Sequence, residues 1–142
     1  MDAGINATIE RFGYPATLIR DYGHWVLLVR PAQVTAASLI LAAKGETTSY
    51  GALPADAFIE QGQIVAETER KLRQLVNMDK INYLMLMMVD PHVHFHILPR
   101  YQGARSFAGL VLTDHGWPGP PDLKSAVELD SAAVGRAVEA FR

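Results

Sequence analysis

The sequence predicts an α+β fold: an antiparallel sheet of about five strands, one long helix between the third and fourth, and a C-terminal loop and helix. Three observations carry this prediction. Residues 92–97 alternate strictly between histidine and apolar residues, which is the period of a strand. Residues 55–76 space their apolar residues at helical intervals, with charges between them. The other apolar stretches are short and bounded by glycine, proline and aspartate, as strands between turns are.

In chain order, Ile5–Phe12 reads as a short helix ended by Gly13 and Pro15. Thr17–Arg20 and His24–Val29 read as a hairpin across Asp21-Tyr22-Gly23, and Pro31 stops its second strand. His24, alone on that strand, is read as structural. Ser38–Ala43 is a short apolar run, a buried strand by its length. After a loop over 45–54, Pro54 suits a first helical turn, and the helix Ala55–Val76 should bury Phe58, Val65, Leu72 and Val76. Glu67/Lys71 and Glu69/Arg73 are spaced as ion pairs on its solvated face, and Asn77 is a plausible stop.

Ile81–Val89 is apolar at nearly every position and reads as a strand covered on both faces, by the long helix on one and by a second subunit or the C-terminal segment on the other. Through Asp90-Pro91 it leads into the histidine strand, so the two are expected to pair antiparallel. Pro91 and Pro99 bracket that strand. Beyond Tyr101 the sequence loosens through Gly103 and Gly109 into a proline-rich loop, 114–122, whose Trp117 should be tucked away. Asp130 caps a last helix, Ser131–Phe141, with Val134, Val138 and Phe141 as its stripe.

Composition bounds the function. The 142 residues suit one domain, read as a core over about 15–102 with a C-terminal extension over 103–142. Apolar residues make up 49% and charged residues 20%, an ordinary globular balance. A net charge of −2 argues against nucleic acid or an anionic membrane as partner. There is no cysteine, so disulfides and thiolate metal sites are excluded. The opening residues lack a basic-then-apolar leader and no apolar run approaches membrane-spanning length, from which a cytoplasmic protein is expected.

The chemistry is concentrated in His92, His94 and His96, whose rings share one strand face opposite Val93, Phe95 and Ile97. Imidazole serves as base, nucleophile or metal ligand near neutral pH. A polar strand face, a metal site and a histidine nucleophile in phosphoryl chemistry all fit such a row. Against the metal, no thiolate or carboxylate lies within the strand.

His92-Val93-His94-Phe95-His96-Ile97-Leu98, with Pro99-Arg100 following, resembles the His-φ-His-φ-His-φ-φ signature (φ apolar) of the histidine triad superfamily of nucleotide hydrolases and transferases. Weaker likeness spreads over about residues 15–120. The resemblance implies a histidine-triad α+β fold, commonly a homodimer, and a hydrolase acting on a small nucleotide-like substrate without a metal or other cofactor. It implies that His94 attacks a phosphate to form a covalent nucleotidyl-histidine, while His92 and His96 bind phosphate oxygens or orient the nucleophile. Arg100 is a further candidate phosphate ligand. A binding module with little turnover and a histidine-ligated metalloprotein are the alternatives. The chain departs from the family pattern at three places, one being Ala37-Ser38, near which some members carry an extra histidine. Val89-Asp90-Pro91 stands where many members carry a glycine-containing phosphate segment, and Val29-Arg30-Pro31 where an acid holds ribose hydroxyls. The resemblance therefore extends to the nucleophile and not to an adenosine grip.

Overall fold

In the computed structural model, which describes residues 4–142, the first element is helix α1 (Ala7–Arg11). Asn6 caps it, its side-chain oxygen accepting from the Ile9 N–H at 2.9 Å. The same side chain donates to the carbonyls of Ala43 at 3.0 Å and Gly45 at 2.7 Å, so one asparagine both starts the helix and fastens it to the sheet. Strands β1 (Leu18–Asp21) and β2 (Trp25–Val29) form the expected hairpin; the two-residue β3 (Ala32–Gln33) follows, then β4 (Leu39–Ala43).

The long helix α2 spans Ala55–Val76 as expected, and ends on Asn77 in the left-handed region at φ 47°. Strands β5 (Lys80–Leu84) and β6 (His94–Arg100) complete the main sheet, whose order is β1-β2-β4-β6-β5 with every neighbour antiparallel. Among the described residues, no helix is long and apolar enough to cross a membrane.

The middle of this sheet is buried on both faces. Trp25, Leu27, Val29, Leu39, Leu41 and Ala43 meet α2 and the C-terminal segment, and Val93 and Ile97 join them from the histidine strand. Val26, Leu28, Ile40 and Ala42 face the other way, onto Ile9 of α1 with Phe12 and Leu18 packed alongside. The histidine face of β6 is therefore the α1 face.

Several expectations needed correction. The apolar run 81–89 is a strand only to Leu84; Met87 turns the chain at φ 51°, and Met88 and Val89 are 88% and 72% exposed. The premise of a strand covered on both faces fails for 85–89. On α2 the buried stripe is Ala57, Ile64, Thr68, Leu72 and Val76, so Phe58 and Val65 lie one position off its start. Glu69 pairs with Arg73, but Glu67 turns to Arg20 and the Tyr22 hydroxyl rather than to Lys71. Pro99 does not end β6. The β4 pairing stops at Ile97, so Pro99 has a partner strand on one side only and its missing N–H is tolerated.

The segment read as loose is a hairpin, β7 (Ala104–Phe107) and β8 (Leu110–Thr113), turned by Ala108 and Gly109 at φ 54° and 79°. The alanine there hid the turn from the sequence. A short β9 (Val127–Glu128) pairs with β3, and α3 (Ser131–Ala140), capped by Asp130, packs near β1 and β2. Its buried residues are Ala133, Ala137 and Val138, with Val134 and Phe141 half-buried, while Trp117 is half-buried in the loop before it.

Replacing Asn6 with alanine removes the cap and leaves the carbonyls of Ala43 and Gly45 short of a donor. The expected loss is about 2–4 kcal/mol in urea unfolding. A loss below about 0.5 kcal/mol would mean that α1 is held by its apolar contacts alone.

Candidate active site

The three histidines are held in three different ways, each readable from its hydrogen bonds. His92 lies just before β6. Its Nε2 meets the Glu46 carboxylate at 3.1 Å and its Nδ1 meets the Thr8 hydroxyl at 2.8 Å. A carboxylate only accepts, so Nε2 carries the hydrogen and the Thr8 O–H donates to Nδ1 of the neutral ring. Thr8 belongs to α1, so the helix that covers this face also fixes the first histidine.

His94 makes the most informative contact. Its Nδ1 lies 2.7 Å from the main-chain carbonyl of His92. The carbonyl can only accept, so Nδ1 carries the hydrogen and Nε2 keeps a free lone pair in the neutral ring. His92 precedes β6 and His94 opens it, so this contact closes within two residues of backbone.

His96 has the opposite tautomer. The Nε–H of Arg30 donates to its Nδ1 at 3.2 Å, so the hydrogen of the neutral ring sits on Nε2. Burial, reinforced by the positive charge of Arg30 and by His94, pushes this imidazole down to about 4. His96 is thus a neutral hydrogen-bond donor at pH 7. The His94 and His96 rings stand 5.1 Å apart, centre to centre, and Phe12 lies 5.5 Å from the first and 5.8 Å from the second.

His94 and His96 border a cavity of about 370 Å³ closed by Phe12, Arg30, Asp90 and the 86–89 loop. Arg11 stands at its rim, 3.3 Å from Asp90. A neighbouring cavity of about 300 Å³ shares Arg11, Phe12 and Arg30 and is completed by Pro31, Ala32 and Glu128. Among the described residues no three histidine, aspartate or glutamate side chains are grouped so as to hold a metal ion.

The structure brings His92, His94 and His96 together but does not bring Arg100 to them. Its guanidinium is buried against both carboxylate oxygens of Asp114, the Asn82 amide oxygen and the Gly119 carbonyl, where it ties the proline-rich loop to the sheet. His24 is remote as well, its backbone N–H donating to Glu60. Sequence reasoning missed Arg30, which it noted only as an arginine in an acid's place, and missed Thr8, Glu46 and Phe12 altogether. No local pattern marks these residues, because each reaches the histidines across the fold.

No protein-family model and no curated protein matches the chain. Solved structures do. A histidine triad protein from Bradyrhizobium japonicum superposes with a TM-score of 0.74 at 17% identity, over 99% of this chain and 96% of that one. A hypothetical histidine triad nucleotide-binding protein from Sulfolobus tokodaii gives 0.66 at 15%, over 88% and 80%. A zinc-bound histidine triad family protein from Mycobacterium smegmatis gives 0.60 at 16%, over 89% and 84%. This chain has the histidine-triad fold.

Three outcomes follow from these contacts. The His96 ring should remain neutral in NMR titrations down to about pH 4, against an ordinary value of 6.5. In the unfolded chain it binds its proton first, so His96 lowers stability as pH falls from about 6.5 towards 4. His96→Asn should flatten that part of the stability profile; an unchanged profile would mean the ring is solvated. For the buried pair, Asp114→Ala strands the Arg100 charge and should cost about 3–5 kcal/mol by chemical denaturation.

Proposed function

From the histidine-triad fold and the cavity against its histidines, we propose that this protein is a hydrolase or transferase acting on a nucleotidyl or similar phosphate-linked substrate. His94 Nε2 attacks the phosphorus; an N–P bond forms as the bond from phosphorus to the leaving group breaks. Water or another acceptor then attacks the same phosphorus, the N–P bond breaks, and His94 is restored. The observation that carries this reading is the His94 Nδ1–H bond to the His92 carbonyl, which leaves the nucleophilic lone pair on the other nitrogen of a ring bordering the cavity.

The surroundings suit the charge changes. The attacking ring becomes cationic, and the His92 carbonyl already faces its Nδ1–H. His92 acts as an orienting group, because its own ring is tied to Thr8 and Glu46. His96 offers Nε2–H to phosphate oxygens. The second reading, a binding module with little turnover, is supported by Val89-Asp90-Pro91 standing at the cavity in place of a glycine-containing phosphate segment.

The test uses a fluorogenic nucleoside phosphoramidate, with mass spectrometry for the adduct. Asparagine at position 94 can donate its amide N–H towards the His92 carbonyl, so His94→Asn should fold normally. Its turnover should fall by about 10⁴-fold or more with no adduct, whereas His92→Asn and His96→Asn should cost less. Near-wild-type turnover in His94→Asn overturns the assignment; substrate binding without any adduct in wild type makes the protein a binding module.

We also propose a cytoplasmic homodimer. The support is β5, a sheet edge, continued by the exposed Met88 and Val89. Light scattering should give twice the chain mass, and Met88→Lys with Val89→Lys should shift it towards the monomer; a monomer at high concentration sinks the idea.

A further inference from the structure

Arg30 is a half-buried cation. It follows β2, just before Pro31, and no carboxylate lies within ion-pair distance of it among the described residues. Its Nε–H serves His96 and one Nη1 hydrogen serves the Ala32 carbonyl. Of the five N–H donors of a guanidinium, about three are left without a protein acceptor. Burial holds the group below its ordinary range, opposed only by the charge of Glu128, which it does not touch. A desolvated charge in this condition is costly unless something anionic meets it.

The position says what the anion is attached to. Arg30 contacts His96, whose ring adjoins His94, and it walls both the histidine cavity and the neighbouring one. Arg11 also borders both cavities; among the described residues its ion pair is with Asp90, and its side chain is 64% exposed, so the pair is weak enough to exchange for a better anion. Glu128 lines the second cavity and repels anions from its own part of the wall. The cationic stretch is thus confined to the junction of the two cavities.

We propose that Arg30 and Arg11 form an anion subsite at this junction, taking a second phosphate bonded to the one that His94 attacks, so that the site prefers a phosphoric anhydride over a single phosphate ester. This rests on the reading of His94 as the nucleophile. Arg30 binds the non-reacting phosphate through its Nη hydrogens, geometry that a planar guanidinium supplies and an ammonium does not. A merely structural Arg30, present to hold the His96 tautomer, needs only its Nε–H.

The test is binding of methylenediphosphonate, which His94 cannot cleave, against inorganic phosphate, by calorimetry on the full chain. Wild type should bind the diphosphonate at least about 10-fold more tightly than phosphate. Arg30→Gln should reduce that ratio to near one, with the His96 tautomer followed by ¹⁵N NMR; Arg11→Gln should reduce it about three-fold. Equal affinities in wild type, or an unchanged ratio in Arg30→Gln, overturn the proposal. If Arg30→Gln does not fold, exposed Arg11 decides, and an unchanged ratio in Arg11→Gln overturns it. No reaction takes part in this measurement. A failed subsite appears as a lost affinity ratio, and a failed nucleophile as a missing adduct.

Discussion

Burial of the central strands on both faces is the constraint from which the site follows. Every residue of Trp25–Val29 and of Leu39–Ala43 is buried, so a sheet covered by α2 alone would leave Val26, Leu28, Ile40 and Ala42 in water. Burying each such side chain is worth about 1.5–3 kcal/mol for the larger ones, so the second face requires a cover. Five-residue α1 provides it, although a helix of that length has no stability of its own. Its fastening by Asn6, and Ile9 beneath it, make up the difference.

That cover also equips the histidines. The same turn of chain carries Ile9 into the core, Thr8 onto the His92 ring, and Phe12 over His94 and His96, with Arg11 at the cavity rim. Packing and chemistry therefore share one small element. A change that loosens α1 acts at once on the tautomer of His92 and on the space in front of His94.

The electrostatics around the row are uneven by construction. His92 sits between a hydroxyl and a carboxylate, His94 beside a carbonyl, and His96 beside a guanidinium. Three residues of one type in one strand thus receive three different hydrogen-bonding states. The alternation supplies the shared face, and the neighbours supply the differences. Arg100, one more residue of the same strand face, is diverted by Asp114 into anchoring the loop before α3.

How much of this was legible depended on the range of the interaction. Period-two alternation over 92–97 and the helical spacing over 55–76 are properties of consecutive residues, so the strand, the long helix and the sidedness of the histidines could be read directly. The His94–His92 contact belongs to the same local class, being two residues apart. Thr8 meets His92 across 84 positions and Arg30 meets His96 across 66, and no local pattern encodes such encounters. Composition misled where exposure was the issue: Met88 and Val89 are as apolar as a core strand, yet the turn at Met87 leaves them in solvent. The sequence by itself determined the fold class and which face carries the imidazoles, because backbone periodicity settles both. Only the tertiary structure decided the protonated nitrogens of His92 and His96 and the cation beside the cavity, because those depend on which distant groups the two-sided packing of the sheet brings into reach.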